Sequence, residues 1–411
     1  MLICVVGSGG REHALALALG RDAEVVVAPG NPGIPGSIGT TIDPMSINAD
    51  LFVIGPEVPL VEGLADRLRA AGKRVFGPGA DGARLEGSKL WMKDLLAAAR
   101  VPTARFGAFT ADGLDDAVVF LQSLAPPYVI KTDGLAAGKG VFVTNDLGDA
   151  VEDMKAKLLG GSFGEAGSLV VIEEGLSGPE ASLFALCDGS DVTLIPTLAQ
   201  DHKRIFDGDL GPNTGGMGVC SPMPAISDLA LDDMLQSAIR PTVEELRRRG
   251  IDYRGVLFAG FMLTEQGPKV LEYNIRFGDP ETQAILPRLE GNVAALFGQV
   301  ADGELRDEPV VSSDAMVSVV CASEGYPGSP RTGDVITGIE RAEAIDGVTV
   351  FSAGVGANDD GELITAGGRV LNVCGRGPDV ASAREQAYLG VGEIAWPGMQ
   401  FRTDIGAAIE E

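Results

Sequence analysis

The strongest constraint on the fold is a pattern repeated between Leu2 and Phe76, in which short apolar runs break into glycine- or proline-rich turns. Leu2 to Val6 ends in Gly7-Ser-Gly9-Gly10 and leads into the helix formers Arg11-Glu-His-Ala-Leu-Ala-Leu-Ala-Leu. Glu24 to Ala28 runs into Pro29-Gly-Asn-Pro-Gly33, and Leu51 to Ile54 into Gly55-Pro-Glu-Val-Pro59. A helix from Val61 to Ala71 and a strand at Arg74 to Phe76 complete the pattern. Strands alternating with helices imply a parallel sheet with its ligand loops at the strand ends. Backbone amides at the first helix start could bind an anion, or the glycines could simply turn the chain. A dinucleotide fingerprint would place a third glycine at position 12, where Glu12 stands, so a nicotinamide site is disfavoured.

Composition narrows the partners. At 411 residues the chain is long enough for two to four domains. A net charge of -26 argues against nucleic acid, and any anionic substrate must be met by a local concentration of Lys, Arg, amides or metal. Only His13 and His202 are present, too few for histidine-based zinc sites, so a metal would be held by oxygen. The five cysteines (Cys4, Cys187, Cys220, Cys321, Cys374) are scattered, which fits thiols in a reducing compartment. No apolar run is long enough to span a membrane, and Met1 leads into Leu-Ile-Cys-Val-Val without a basic leader, so the expectation is a soluble cytoplasmic protein.

The stretch Leu271-Glu-Tyr-Asn-Ile-Arg-Phe-Gly-Asp-Pro-Glu-Thr-Gln283 reads as a strand entering a charged turn. Strand alternation puts Glu272 and Asn274 on one face, with Leu271, Tyr273 and Ile275 on the other. A carboxylate beside an amide oxygen suits Mg²⁺, which takes few protein ligands and fills the rest with phosphate and water. The alternative is a strand end with solvated charges. Lys89 at a helix start is either solvated or aimed at an anion. The strand Tyr128 to Asp133 continues into Gly134-Leu-Ala-Ala-Gly-Lys-Gly140 and a second β-run. That is too short for a Walker loop and lacks its helix, so it suggests a flap closing over phosphates through its amides and Lys139, or an ordinary hairpin. Glu173 and Glu174 end another strand, Ser168 to Ile172. They could receive nucleotide hydroxyls or the adenine amino group, or face solvent. Gln200-Asp-His-Lys-Arg204 and Gly211-Pro-Asn-Thr-Gly-Gly-Met-Gly218 carry residue types that clamp carboxylates and phosphates within one long connection.

Helices are expected from Thr110 to about Leu124, from Gly148 to Leu159 and from Asp228 to Arg249, the last broken near Pro241. Val256 to Thr264 and Lys269 to Asn274 form a hairpin. Beyond Pro309, β-runs at Ala315 to Cys321, Asp334 to Ile339, Val348 to Ala353 and Gly368 to Cys374, with a helix at about Val380 to Gly390, suggest a separate small α+β domain whose role is packing.

Six segments, in order, carry a resemblance: Gly-Gly-Arg-Glu-His at 9 to 13, Gly-Pro-Glu-Val-Pro-Leu at 55 to 60, Lys-Thr-Asp-Gly-Leu-Ala-Ala-Gly-Lys-Gly at 131 to 140, Asp-His-Lys-Arg at 201 to 204, Gly-Pro-Asn-Thr-Gly-Gly-Met-Gly at 211 to 218, and Asn-Ile-Arg-Phe-Gly-Asp-Pro-Glu-Thr-Gln at 274 to 283. Together they resemble the phosphoribosylamine-glycine ligase (glycinamide ribonucleotide synthetase) family of the ATP-grasp ligases.

The resemblance implies a multidomain α/β and α+β chain. It would have an N-terminal parallel α/β domain at 1-85, an ATP-grasp domain at 86-308 with a lid at about 108-176, and a C-terminal α+β domain at 309-411. It implies ligation of glycine to 5-phosphoribosylamine with ATP, Mg²⁺ (or Mn²⁺) and a glycyl phosphate intermediate, in de novo purine synthesis, by a monomer with no nucleic-acid or membrane partner. By resemblance Glu272 and Asn274 hold the metal. Lys89, Lys131, Gly138, Lys139 and Gly140 meet nucleotide phosphates, while Glu173, Glu174, Leu176 and Glu180 fall at adenine and ribose. Arg276, Lys139, Asn213 and Gly216 serve the reacting groups. Gly9, Gly10, Asp201, His202, Lys203, Arg204, Thr214, Asp279 and Glu281 serve the substrates. One departure stands out: the family usually has a strand, a helix and a strand where only about ten residues join Thr41 to Leu51 here, less than a helical crossover needs. Rival readings are another carboxylate-amine ligase on this scaffold and a nucleotide-binding regulatory protein without turnover.

Overall fold

The computed structural model describes residues 1–39, 42–135, 140–160, 168–223 and 228–407. Strands β1 (Leu2–Gly7), β2 (Glu24–Pro29), β3 (Leu51–Ile54) and β4 (Arg74–Phe76) form a parallel sheet in the order β2-β1-β3-β4. Because successive side chains alternate, β1 feeds two cores. Cys4 and Val6 pack with Phe52 and Ile54 on one face, and Ile3 and Val5 with Leu15 and Val53 on the other. The shortened connection before β3 contains a single 3₁₀ turn, Pro44–Ser46, whose cap Asp43 accepts from the Met45 amide at 3.0 Å. Among the described residues of that connection there is no α-helix. The helix expected over Val61 to Ala71 is two, Glu57–Val61 and Leu64–Ala70, because Gly63 between them adopts the left-handed region at φ 75°.

Strands β5 (Phe106–Thr110), β6 (Tyr128–Thr132), β7 (Val141–Thr144) and β8 (Leu169–Glu174) make an antiparallel sheet ordered β5-β8-β6-β7. The helices Leu114–Gln122 and Leu147–Gly160 cover it, burying Ala117, Leu121, Ile130, Met154 and Ile172 in a core of its own.

The rest of the chain is organised by β9 (Glu180–Asp188), β10 (Val192–Asp201), the hairpin β11 (Arg204–Phe206) and β12 (Leu210–Asn213), β13 (Gly218–Ser221), β14 (Arg254–Thr264) and β15 (Gly267–Asn274). The C-terminal third adds the short pair β16 (Leu289–Glu290) and β17 (Val310–Val311), then β18 (Ala315–Ala322), β19 (Val348–Ser352), the pair β20 (Val355–Ala357) and β21 (Leu363–Thr365), and β22 (Arg369–Gly377). Eight of these strands form one sheet ordered β15-β14-β9-β10-β13-β18-β22-β19, antiparallel at every step. The C-terminal strands continue the central sheet, since β13 hydrogen-bonds β10 on one side and β18 on the other.

Two local expectations also change. Asp334 to Ile339 makes only isolated bridges, Val335 to Ile364 and Thr337 to Ala395, and Gly338 at φ 93° opens the helix Ile339–Glu343. The segment around Pro241 runs as helix Asp228–Met234, a π turn Leu235–Ile239 and helix Arg240–Arg248. Proline lacks an N–H and crowds the preceding turn, and the widened turn absorbs both.

Candidate active site

Glu272 and Asn274 lie two residues apart on β15, and the pleat sets both on one face while Tyr273 and Ile275 are buried opposite. Tyr273 is fixed by its hydroxyl, 2.9 Å from Thr242 Oγ1. The side chains of Glu272 and Asn274 have no hydrogen-bond or ion-pair partner among the described residues. Burial pushes the Glu272 carboxyl up, but Lys203, Lys131, Lys89 and Arg276 outweigh it and hold the group below its ordinary value. The strand thus presents a charged carboxylate and an amide, both unspent within the protein.

The lysines reach this point through paired caps. Ser88 caps the helix Lys89–Ala99, its Oγ accepting from the Trp91 amide at 3.1 Å. Asp133, just beyond β6, accepts from Ser88 Oγ and from the Leu90 amide, each at 3.1 Å. The clamp fixes the helix start against the end of β6, so Lys89 Nζ donates to the Gly134 carbonyl at 3.0 Å. Burial lowers the Lys89 pKa, with Lys131 adding to the effect and Glu272 and Asp133 opposing it. Lys131 Nζ, on β6, lies 2.9 Å from Glu173 Oε1, and Lys93 Nζ lies 2.9 Å from Glu173 Oε2. Glu173 is thus committed to two ammonium groups. Glu174 Oε1 accepts from the Arg105 amide at 3.0 Å and sits 3.7 Å from Lys269. Leu176 is half-buried just beyond β8, and the Gly140 carbonyl accepts from the Thr132 amide at 2.9 Å. Gly138 and Lys139 lie outside the described residues.

On the opposite side Glu180, the first residue of β9, pairs with Lys203. Thr214 Oγ1 donates to the Lys203 carbonyl at 2.8 Å and accepts from the Gly216 amide at 3.0 Å, folding the loop back on β10. Gly216 is required there: its φ is 108°, and a β-carbon would fall 2.6 Å from Asp201 Oδ1 and 2.5 Å from Pro280 Cδ. Asn213 ends β12 exposed. The run from Asp201 to Arg204 divides. His202 is buried with Nε2 accepting from the Gly406 amide at 3.4 Å, and Arg204 closes its own hairpin through Nη1 to the Gly211 carbonyl at 2.7 Å. Glu281 Oε1 accepts from Ser182 Oγ at 3.1 Å. Burial pushes Glu281 up, and burial followed by the charge of Glu281 pushes Asp201 up further.

Arg276 spans two carboxylates, with Nη2 2.6 Å from Glu86 and Nε 3.2 Å from Glu57. Asp279 is a junction: Oδ2 accepts from the Arg11 amide at 3.0 Å, and Oδ1 lies 3.2 Å from Arg369 Nη2. Arg369 Nη1 also donates to the Asp279 carbonyl at 2.7 Å and to the Gly215 carbonyl, while Tyr326 Oη accepts from the Gly215 amide at 2.8 Å. Gly9 and Gly10 open the first helix, and the Gly9 amide donates to Glu12 Oε2 at 2.6 Å. Glu12 fills the crook of the loop so closely that a β-carbon at Gly55 would fall 2.0 Å from its Oε1.

Sequence reasoning did not single out Lys93, Glu57, Glu86, Tyr326 or Arg369. Lys93 carried one signal, its place one turn after Lys89 on the same helix face. The C-terminal region, expected only to pack, supplies Arg369 and Tyr326 to the loops of the site.

Comparison with known proteins bears on this arrangement. Family models described as phosphoribosylglycinamide synthetase N domain, ATP-grasp (A) domain and C domain match residues 1–86, 87–282 and 316–408. Phosphoribosylamine–glycine ligase of Streptomyces coelicolor is 46% identical over 424 residues, covering 99% of each chain. The chain belongs to the phosphoribosylglycinamide synthetase family. The Escherichia coli member is 44% identical over 425 residues, covering 99% of this chain and 98% of its own. The crystal structure of the Thermotoga maritima member superposes with a TM-score of 0.87 at 32% identity, covering 98% of this chain and 100% of that one. Biotin carboxylase of Campylobacter jejuni shares the fold at a TM-score of 0.72 and 13% identity, covering 100% of this chain and 95% of that one.

Proposed function

We propose that the protein is an ATP-dependent ligase joining glycine to 5-phosphoribosylamine to give glycinamide ribonucleotide, ADP and phosphate in purine biosynthesis. The observation that carries this reading is the relation to phosphoribosylamine–glycine ligases over 99% of this chain and 98–99% of theirs. The glycine carboxylate oxygen attacks the γ-phosphorus, the bond to the ADP oxygen breaks, and glycyl phosphate forms. The amine nitrogen of phosphoribosylamine then attacks the glycyl carbonyl carbon, phosphate leaves, the nitrogen loses a proton and an amide remains. Both steps ask the protein for positioning and charge neutralisation more than for covalent help.

Lys89 and Lys131 meet the nucleotide phosphates. Lys203 and the loop from Asn213 to Gly216 orient the acyl group, Glu281 and Asp201 line the substrate side, and the Gly9 and Gly10 turn helps seat phosphoribosylamine. Arg276, held by Glu57 and Glu86, adds positive charge beside Glu272. Glu272 and Asn274 fit Mg²⁺: their side chains are adjacent and unpartnered, one is charged, and a hard cation favours a carboxylate and an amide oxygen. The bound cation would neutralise phosphate charge. Among the described residues there is no cluster of three or more His, Cys, Asp or Glu, a set that a cation shared with phosphates and water does not need. The five cysteines are free and buried, which suits a reducing compartment, and we place the enzyme in the cytoplasm as a monomer. Among the described residues no helix is long and apolar enough to cross a membrane.

The test is ADP release from ATP and Mg²⁺ with glycine, with and without freshly made 5-phosphoribosylamine. Release that needs both substrates and yields the amide supports the proposal. Nucleotide binding without turnover, or turnover with a different amine, refutes the named reaction.

A further inference from the structure

Lys93 has no part in the reaction as proposed, yet it is a lysine with no solvent exposure at all. Its ammonium donates to Thr103 Oγ1 at 2.8 Å, and Thr103 in turn donates to the Val270 carbonyl at 2.6 Å. It also stands 5.7 Å from the Phe106 ring centroid. These contacts hold it on one side of Glu173, whose carboxylate it meets at Oε2, while Lys131 meets Oε1 from the other side. A single lysine would neutralise this glutamate. A second buried cation adds desolvation cost without being needed for that balance, so its presence calls for a reason.

The reason lies in what Lys131 must do. A buried carboxylate that loses its only counter-ion is strongly destabilised. If Glu173 had only Lys131, then every movement of that ammonium toward a phosphate would leave an orphaned charge, and Glu173 would compete with the nucleotide. With Lys93 fixed behind it by Thr103, Glu173 stays compensated whichever way Lys131 points. We propose that Lys93 is a positioning residue, a standing counter-ion for Glu173 that frees Lys131 to engage the phosphates of a nucleoside triphosphate. The inference rests on the reading of Lys131 as a phosphate ligand.

The experiment is calorimetric titration of the full-length protein with β,γ-imido-ATP and Mg²⁺, in the unaltered chain and in Lys93→Met, Glu173→Gln and the double variant. Lys93→Met should raise Kd roughly 10-fold, because Glu173 then holds Lys131 alone; the double variant should return to within about 3-fold of the unaltered protein. In turnover assays the KM for ATP should rise in Lys93→Met while the KM for glycine stays unchanged. A purely structural role for Lys93 would make the double variant the worse of the two. An unchanged Kd in Lys93→Met, or a double variant no better than Lys93→Met, overturns the inference. Should Lys93→Met fail to fold, the double variant is compared with Glu173→Gln: equal Kd supports the counter-ion role, and a further loss overturns it. No binding by the unaltered protein would instead overturn the nucleotide reading itself, and the inference with it.

Discussion

The two sides of the site bury the same kind of group in opposite electrostatic states. On the side of β6 and β8, Glu173 is nearly inaccessible and its two flanking lysines more than cancel the effect of burial, so its carboxyl sits below the ordinary value. On the side of β10 and the turn after β15, Glu281 is buried and Asp201 half-buried with its Oδ1 shielded from solvent, but Lys203 and Arg369 do not offset desolvation for Asp201, and both groups are pushed up. Burial alone therefore does not set the charge of these carboxylates. The difference is what stands against each: two ammonium groups at 2.9 Å hold Glu173, whereas Asp201 faces a second carboxylate, Glu281, and strands far apart in the chain set both surroundings.

The largest effect should come from the group between the two sides. We expect Glu272→Ala to cut Mg²⁺-dependent turnover by roughly 100-fold or more while moving the melting temperature by no more than about 4 °C, since Glu272 has no protein partner to lose. Steady-state kinetics across a Mg²⁺ titration, with a thermal melt, checks it; unchanged metal dependence would remove Glu272 from the cation. Next comes Arg369, which ties the Gly215 loop to Asp279 on the acidic side. Arg369→Gln should lower turnover about 10-fold and raise the KM for ATP little, and Arg369→Lys should recover only part of the loss because one ammonium cannot reach all three acceptors. An equal rise in the ATP KM would mean that the two sides are not separable.

The smallest effect sharpens the contrast most directly. Glu173 has a depressed folded pKa, so its contribution is present above the unfolded carboxyl value and is lost as pH falls through the folded one. Asp201 has a raised folded pKa, so the folded state holds its proton longer and stability falls as pH rises from the ordinary carboxyl range toward the raised value. Denaturant unfolding between about pH 2 and 8 should show Glu173→Gln flattening the loss below the ordinary carboxyl range and Asp201→Asn flattening the opposite slope above it, each by at most about 1.4 kcal/mol per pH unit. Slopes of the same sign in both variants would show that the two carboxylates do not differ as described.

Much of the site was legible because strand chemistry is local. Glu272 and Asn274 share a face since the side-chain period of a strand is two, whereas the local sequence leaves Lys89 at a helix start either solvated or aimed at an anion, and Lys131 acquires a role only through the family resemblance. Lys93 was barely legible, because its place one turn after Lys89 does not by itself distinguish it from a solvated helix lysine; only Glu173 arriving from β8 gives it a role. Arg369 was hidden for the same reason. Its partners, Gly215 and Asp279, lie in other segments, and β13 brings them together by joining the C-terminal strands to the central sheet.

By itself, then, the sequence determined the alternation of strands and helices, the parallel N-terminal sheet, the glycines at turns and the identity of the oxygen and nitrogen groups at the strand ends. Those follow from local sterics, periodicity and hydrogen-bonding capacity. The tertiary structure alone decided which carboxylates are charged, which lysines are spent on them and which oxygens at Glu272 and Asn274 remain open. Coulomb energies depend on through-space distance and burial, and neither is written in the order of residues.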